Sequence, residues 1–118
     1  MKNQIISGVL TISDKGSRGE RYDESGEAAA EILENAGFSP LIKEIIPDNR
    51  KQITDTLVDW VENKKLLLIV TSGGTGLSPS DVTPQAMQNV IDYEVPGMSE
   101  AMRAASLRKT PHAMISRA

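Results

Sequence analysis

Three aspartates in this 118-residue sequence each follow a short apolar run. Asp14 comes after residues 5–12, Asp48 after residues 41–46, and Asp81 in the loop beyond residues 66–70. The third run passes directly into Thr71-Ser72-Gly73-Gly74-Thr75-Gly76. Glycines there permit positive φ and let backbone N–H groups converge on an anion, with the Ser72 and Thr75 hydroxyls as extra donors. Carboxylates beside an anion cradle repel the ligand unless a cation lies between them. Mg2+ suits that position, held by one or two carboxylates together with phosphate oxygens. Phosphate chemistry with Mg2+ follows from this layout.

The elements that must position these groups can be read from the pattern. Residues 5–12 are apolar and β-branched and predict a strand, followed by a polar loop over 15–23 with Gly16 and Gly19 as breakers. Residues 24–36 place Ala28, Ala29, Ile32, Leu33 and Ala36 on a helical stripe, and Gly37 stands where a C-terminal cap glycine belongs. Residues 41–46 predict a second strand, stopped by Pro47-Asp48. Residues 49–64 put Ile53, Leu57, Trp60 and Val61 on one helix face. The apolar run 66–70 lacks alternation, as in a strand buried on both faces of a parallel sheet. Thr83-Pro84 opens a helix with Thr83 as N-cap, Pro96-Gly97 breaks it, and residues 98–109 form another. Residues 112–117 begin a further strand. Strand and helix alternate, which predicts an α/β fold: a mostly parallel sheet covered on both faces. Ligands in such sheets bind beyond the carboxyl ends of the strands, where the three aspartates and the glycine turn all lie.

Each aspartate also has a purely structural reading. Asp48 precedes a helix, where Asp commonly serves as an N-cap, and Asp14 and Asp81 lie in turns that favour Asp for local hydrogen bonding. Their common edge beside a double-glycine turn argues against that reading for all three. The turn is not a P-loop, because Leu77 stands where the motif needs lysine, and Pro79 occupies the third glycine position of the dinucleotide fingerprint.

Composition narrows the class. A formal charge of -3 and 39% apolar residues describe one ordinary domain spanning 1–118, with no run long enough for a membrane span. Cysteine is absent, which excludes disulfides, zinc–thiolate sites and a Cys nucleophile, and suits a cytoplasmic setting. The acidic balance and only four aromatics (Tyr22, Phe38, Trp60, Tyr93) argue against a nucleic-acid partner.

Taken together, Ser13-Asp14, Ile46-Pro47-Asp48, Thr71 to Gly76, Asp81-Val82-Thr83-Pro84 and Pro96-Gly97-Met98 resemble the molybdopterin adenylyltransferase family, which includes the G domains of gephyrin and its plant counterpart. The resemblance runs from Val9 to Arg117. It implies a three-layer α/β/α sandwich, commonly assembled as a homotrimer. It also implies transfer of an adenylyl group from Mg-ATP to molybdopterin, with release of pyrophosphate and hand-over to a molybdate-insertion protein. Other readings of the same domain type are a non-catalytic molybdopterin-binding module, a trimeric scaffold and a molybdate-insertion-related domain. Asp48 and Asp81 match the family's catalytic, Mg2+-holding aspartates. Ser72, Gly73, Gly74, Thr75 and Gly76 match the phosphate-site loop, with Ser13 and Asp14 beside it. Ser106 and Ser116 match positions associated with pterin binding.

This sequence departs from the family pattern at Ser80, where many members carry Arg, and at Asn49, where Glu is frequent. Family members continue through another strand, a Leu-Pro-Gly-type loop and a final helix, so the chain is expected to be truncated short of the C-terminal end of its domain. Lys15, Arg18 and Arg21 lie in the first loop, where they are expected to reach ATP, and Arg103, Arg108, Lys109 and Arg117 make the last third basic. His112 has no partner ligand in the sequence and reads as structural, and Met98, Met102 and Ala105 recur at core or subunit-contact spacing.

Overall fold

A computed structural model describes residues 6–38 and 41–109. Its elements in chain order are β1 (Ser7–Ile12), α1 (Asp14–Ser17), α2 (Glu24–Asn35), β2 (Leu41–Ile46), α3 (Arg50–Glu62), β3 (Leu68–Ser72), α4 (Thr83–Gln88) and α5 (Pro96–Leu107). The strands form a parallel sheet in the order β2-β1-β3. This is the expected α/β class. The strand expected over 112–117 lies outside the described residues.

Central β1 is buried along its whole length. Its alternate residues divide between two helical layers. Leu10 and Ile12 join Ile46, Ile53, Leu57, Trp60, Leu66 and Ala86 in one buried cluster, which places α3 and α4 on that face. Gly8 shares it: a Cβ there would stand 2.5 Å from the Trp60 ring. Thr11 points the other way, where its hydroxyl donates to Asp23 Oδ2 at 2.7 Å in front of α2. Burying a large aromatic such as Trp60 makes it a main contributor to the core.

The inward face of α2 is made by Gly26 and Ala30, with Ala29 and Leu33 half-buried, whereas Ala28, Ile32 and Ala36 are exposed. The expected stripe is therefore rotated. Small residues win the inner face because α2 approaches β1 closely: a Cβ on Gly26 would lie 2.4 Å from Thr11 Oγ1. The helix ends as anticipated, with Gly37 at φ 92 and Phe38 N–H donating to Leu33 O at 3.0 Å. In α3, Ile53, Leu57 and Trp60 are buried, but Val61 is exposed.

Several boundaries moved. β3 begins at Leu68 rather than Leu66, because Lys65 turns through φ 58 and Leu66 N–H still closes onto Trp60 O at 3.0 Å. It is also an edge strand among the described residues, half-buried throughout rather than buried on both faces. α4 stops at Gln88, seven residues before Val95, and Pro96 opens α5 instead of breaking its predecessor. Proline at the first helical position gives up no needed donor, and it keeps Val95 out of the helical conformation, at φ -118 and ψ 80. The polar segment 15–23, read as loop, begins inside the single helical turn of α1, Asp14–Ser17.

Candidate functional site

The parallel register brings the carboxyl ends of all three strands together, since Ile12 pairs with Ile46 and Thr11 with Ser72. Asp14 and Asp48 leave adjacent strands and grip each other's backbone: Asp14 N–H donates to Asp48 Oδ2 at 3.1 Å, and Asp48 N–H donates to Asp14 Oδ1 at 2.9 Å. Asp48 is not an N-cap. That role belongs to Asn49, whose Oδ1 accepts from Gln52 N–H at 2.9 Å. Ser13 likewise caps α1, its hydroxyl accepting from Gly16 N–H at 3.0 Å.

The glycine turn is specified by contact. Gly73 and Gly74 have φ of 99 and 69, in the left-handed region. Any Cβ on Gly73 would meet Ile12 O at 2.2 Å, and one on Gly74 would meet Thr83 Oγ1 at 2.2 Å. Thr83 is buried and staples the start of α4 to this turn: its hydroxyl donates to Gly73 O at 2.8 Å and its N–H to Gly74 O at 3.0 Å. It is thus the first residue of α4 rather than its N-cap, which is Val82. Two residues upstream, Asp81 Oδ2 accepts from Ser78 N–H at 3.0 Å, the local bonding typical of Asp in a turn.

These pieces enclose an open cavity of about 610 Å³. Ser13, Asp48, Ser72, Gly73, Gly74 and Asp81 line it, so side chains 68 residues apart in sequence face one space. Asp14, Thr75, Gly76 and Ser106 are not among its lining residues, and Ser106 stands exposed on α5. Ser116 lies outside the described residues, as do His112 and Arg117. Of the loop cations, Arg21 lines the cavity, whereas Arg18 is held by Glu20 at 2.9 Å on the surface. Tyr22 also lines it, a contribution the sequence reading missed. The available signal was position: both precede Asp23, the N-cap of α2, which Thr11 anchors from below.

The cavity is acidic. Arg21 faces Asp23, Glu24, Asp48 and Asp81, one cation against four carboxylates. Burial pushes the Asp48 carboxyl above the usual aspartate range, and the negative charges of Asp14 and Asp81 push the same way against the Asp14 N–H bond. An uncompensated negative site of this kind favours a cation. Among the described residues no group of three or more acidic, His or Cys side chains is arranged to hold a metal by itself. Two carboxylates fit Mg2+ only in the form it commonly takes, with water and ligand phosphate oxygens completing the shell.

Comparison with known proteins bears on what this site does. The family described as a probable molybdopterin binding domain matches residues 8–118. Molybdopterin adenylyltransferase of Helicobacter pylori (strain ATCC 700392 / 26695) is 39% identical over 115 residues, covering 96% of this chain and 65% of that protein. The chain therefore spans just under two thirds of that relative's length. Gephyrin of Dictyostelium discoideum is 38% identical over 126 residues, 98% of this chain and 17% of that protein. Among solved structures, the molybdopterin biosynthesis enzyme MoaB from Thermus thermophilus superposes with a TM-score of 0.83 at 44% identity, covering 97% of this chain and 72% of that one.

Proposed function

The chain belongs to the molybdopterin-binding domain family, and from that premise we propose that the protein adenylylates molybdopterin at the expense of Mg-ATP during molybdenum cofactor biosynthesis. A terminal phosphate oxygen of the pterin forms a bond to the α-phosphorus of ATP. The bond from that phosphorus to the β-bridging oxygen breaks, and its electron pair leaves with pyrophosphate. A phosphate nucleophile is already anionic near neutral pH, so no side chain has to remove a proton. Catalysis is then a matter of positioning and charge.

The observation that carries this reading is the convergence of Asp48 and Asp81 on the cavity that also receives the Gly73–Gly74 turn. Backbone N–H groups of that turn hold phosphate oxygens, and the Asp14–Asp48 grip fixes one carboxylate relative to the sheet. Asp48 and Asp81 would hold Mg2+, which when bound neutralises charge on the phosphates. Arg21 and Tyr22 supply a cation and an aromatic face at the mouth. A pure pterin carrier has no use for two carboxylates facing its own anionic ligand.

The resemblance further supports Ser106 and Ser116 as pterin contacts, a homotrimer, a cytoplasmic location and passage of the product to a molybdate-insertion protein. The test is Asp81→Asn. Turnover falls about a hundredfold or more, as loss of a transition-state electrostatic contact does, while pterin affinity is kept. Wild-type turnover in that variant contradicts the assignment.

A further inference from the structure

Asp81 is a wall shared by two cavities. Beyond it from the glycine turn lies a second space of about 310 Å³, lined by Arg50, Ser78, Gln85 and Asp81 among others. Taking a water as roughly 30 Å³, this holds on the order of ten waters, enough for a small polyanion. Its charge differs from that of the first cavity. Arg50 stands there against the single carboxylate of Asp81, whereas the first cavity sets one cation against four carboxylates. Arg50 is exposed at the start of α3 and donates one Nη bond to Asn89 Oδ1 at 3.1 Å. The remaining donors of its guanidinium have no partner among the described residues.

In-line displacement at phosphorus needs the entering and leaving oxygens on opposite sides of the reacting centre. A residue bordering two cavities marks where such a centre can sit with one group on each side. Resting on the adenylyl-transfer reading, we propose that the cavity containing Arg50 is the subsite of the pyrophosphate leaving group, with Arg50 as its principal cation. The more negative part of the nucleotide thereby occupies the less negative cavity. Adenosine and the α-phosphate occupy the first cavity, and the bond that breaks is the one passing Asp81. Arg suits this role because its planar fork binds phosphate oxygens in pairs.

Calorimetric titration with Mg-pyrophosphate and, separately, with AMP tests the assignment on wild type, Arg50→Ala, Arg50→Lys and Asn89→Ala. Loss of one charge-assisted contact predicts that Arg50→Ala weakens pyrophosphate binding by about tenfold or more. AMP affinity stays at the wild-type value, which also reports that the variant is folded. Arg50→Lys falls between, and Asn89→Ala, which removes only the surface partner of Arg50, changes neither ligand. Wild-type pyrophosphate affinity in Arg50→Ala, an equal loss of AMP binding, or no pyrophosphate binding by wild type overturns the subsite. The parent reading is judged apart, by pterin-dependent pyrophosphate release. Release that persists without an Arg50 effect defeats the subsite alone, and absence of release defeats the reading.

Discussion

Helices α3 and α5 carry similar sequence patterns and meet very different surroundings. α3 spans 13 residues and buries Ile53, Leu57 and Trp60 against the sheet, whereas α5 spans 12 and buries none. Met98 and Met102, on the apolar stripe of α5, are 66% and 67% exposed, against 1% for Trp60. The core reading of the methionines therefore does not hold within the described residues. An amphipathic stripe records that a face favours cover, without recording what supplies it. The difference also locates the site. Asp48 stands just ahead of α3, on the packed side of the molecule, and α5 contributes nothing to the cavity lining.

The contrast is sharpest in stability. Trp60→Ala should lose about 3–5 kcal/mol, the usual cost of deleting a buried aromatic, read from urea unfolding. A loss below about 1 kcal/mol would mean that α3 is no better packed than α5. Next comes Thr83→Val, which leaves Gly73 O without its hydroxyl donor inside the packed region and should cost about 1–3 kcal/mol. Thr83→Ser, keeping the hydroxyl, should recover most of the stability and of the turnover, which separates the staple from mere volume.

Asp48→Asn is smaller and of opposite sign. The folded carboxyl is held above its ordinary range by burial and by its acidic neighbours, so the ionised form opposes folding. At neutral pH the variant should melt higher than wild type. That advantage should fade as pH falls through the raised value and vanish below the ordinary aspartate range, where both states of the wild type are protonated. A variant that melts lower at neutral pH would show that the bond from Asp14 N–H outweighs the repulsion. The smallest effect belongs to Met102→Ala, within about 0.5 kcal/mol for the monomer. A larger loss would reveal that the stripe on α5 is covered in solution.

Much of this was legible in the sequence for identifiable reasons. Parallel strands joined through helices send their carboxyl ends to one edge, so Asp14, Asp48, Asp81 and the glycine turn group together from the sequence alone. Hydrophobic patterning located α2, α3 and the three strands, most firmly β1 and α3, whose inward residues are the most deeply buried. The fine assignments failed where tertiary contacts overrode local preference. Thr83 looked like a cap, and its hydroxyl is used instead across the glycine turn. Ile32 looked like core, but close approach of α2 to Thr11 selects Gly26 and Ala30. The reciprocal grip of Asp14 and Asp48 and the sharing of Asp81 between two cavities depend on register and loop path, which no spacing along the chain encodes.

The most direct test is pyrophosphate release from Mg-ATP by the whole protein, with and without molybdopterin. Release that depends on the pterin, and that collapses in Asp81→Asn while the pterin still binds, is the predicted result. Bound pterin with no pyrophosphate released by the wild-type protein would contradict adenylyl transfer and leave the aspartate edge as part of a binding module.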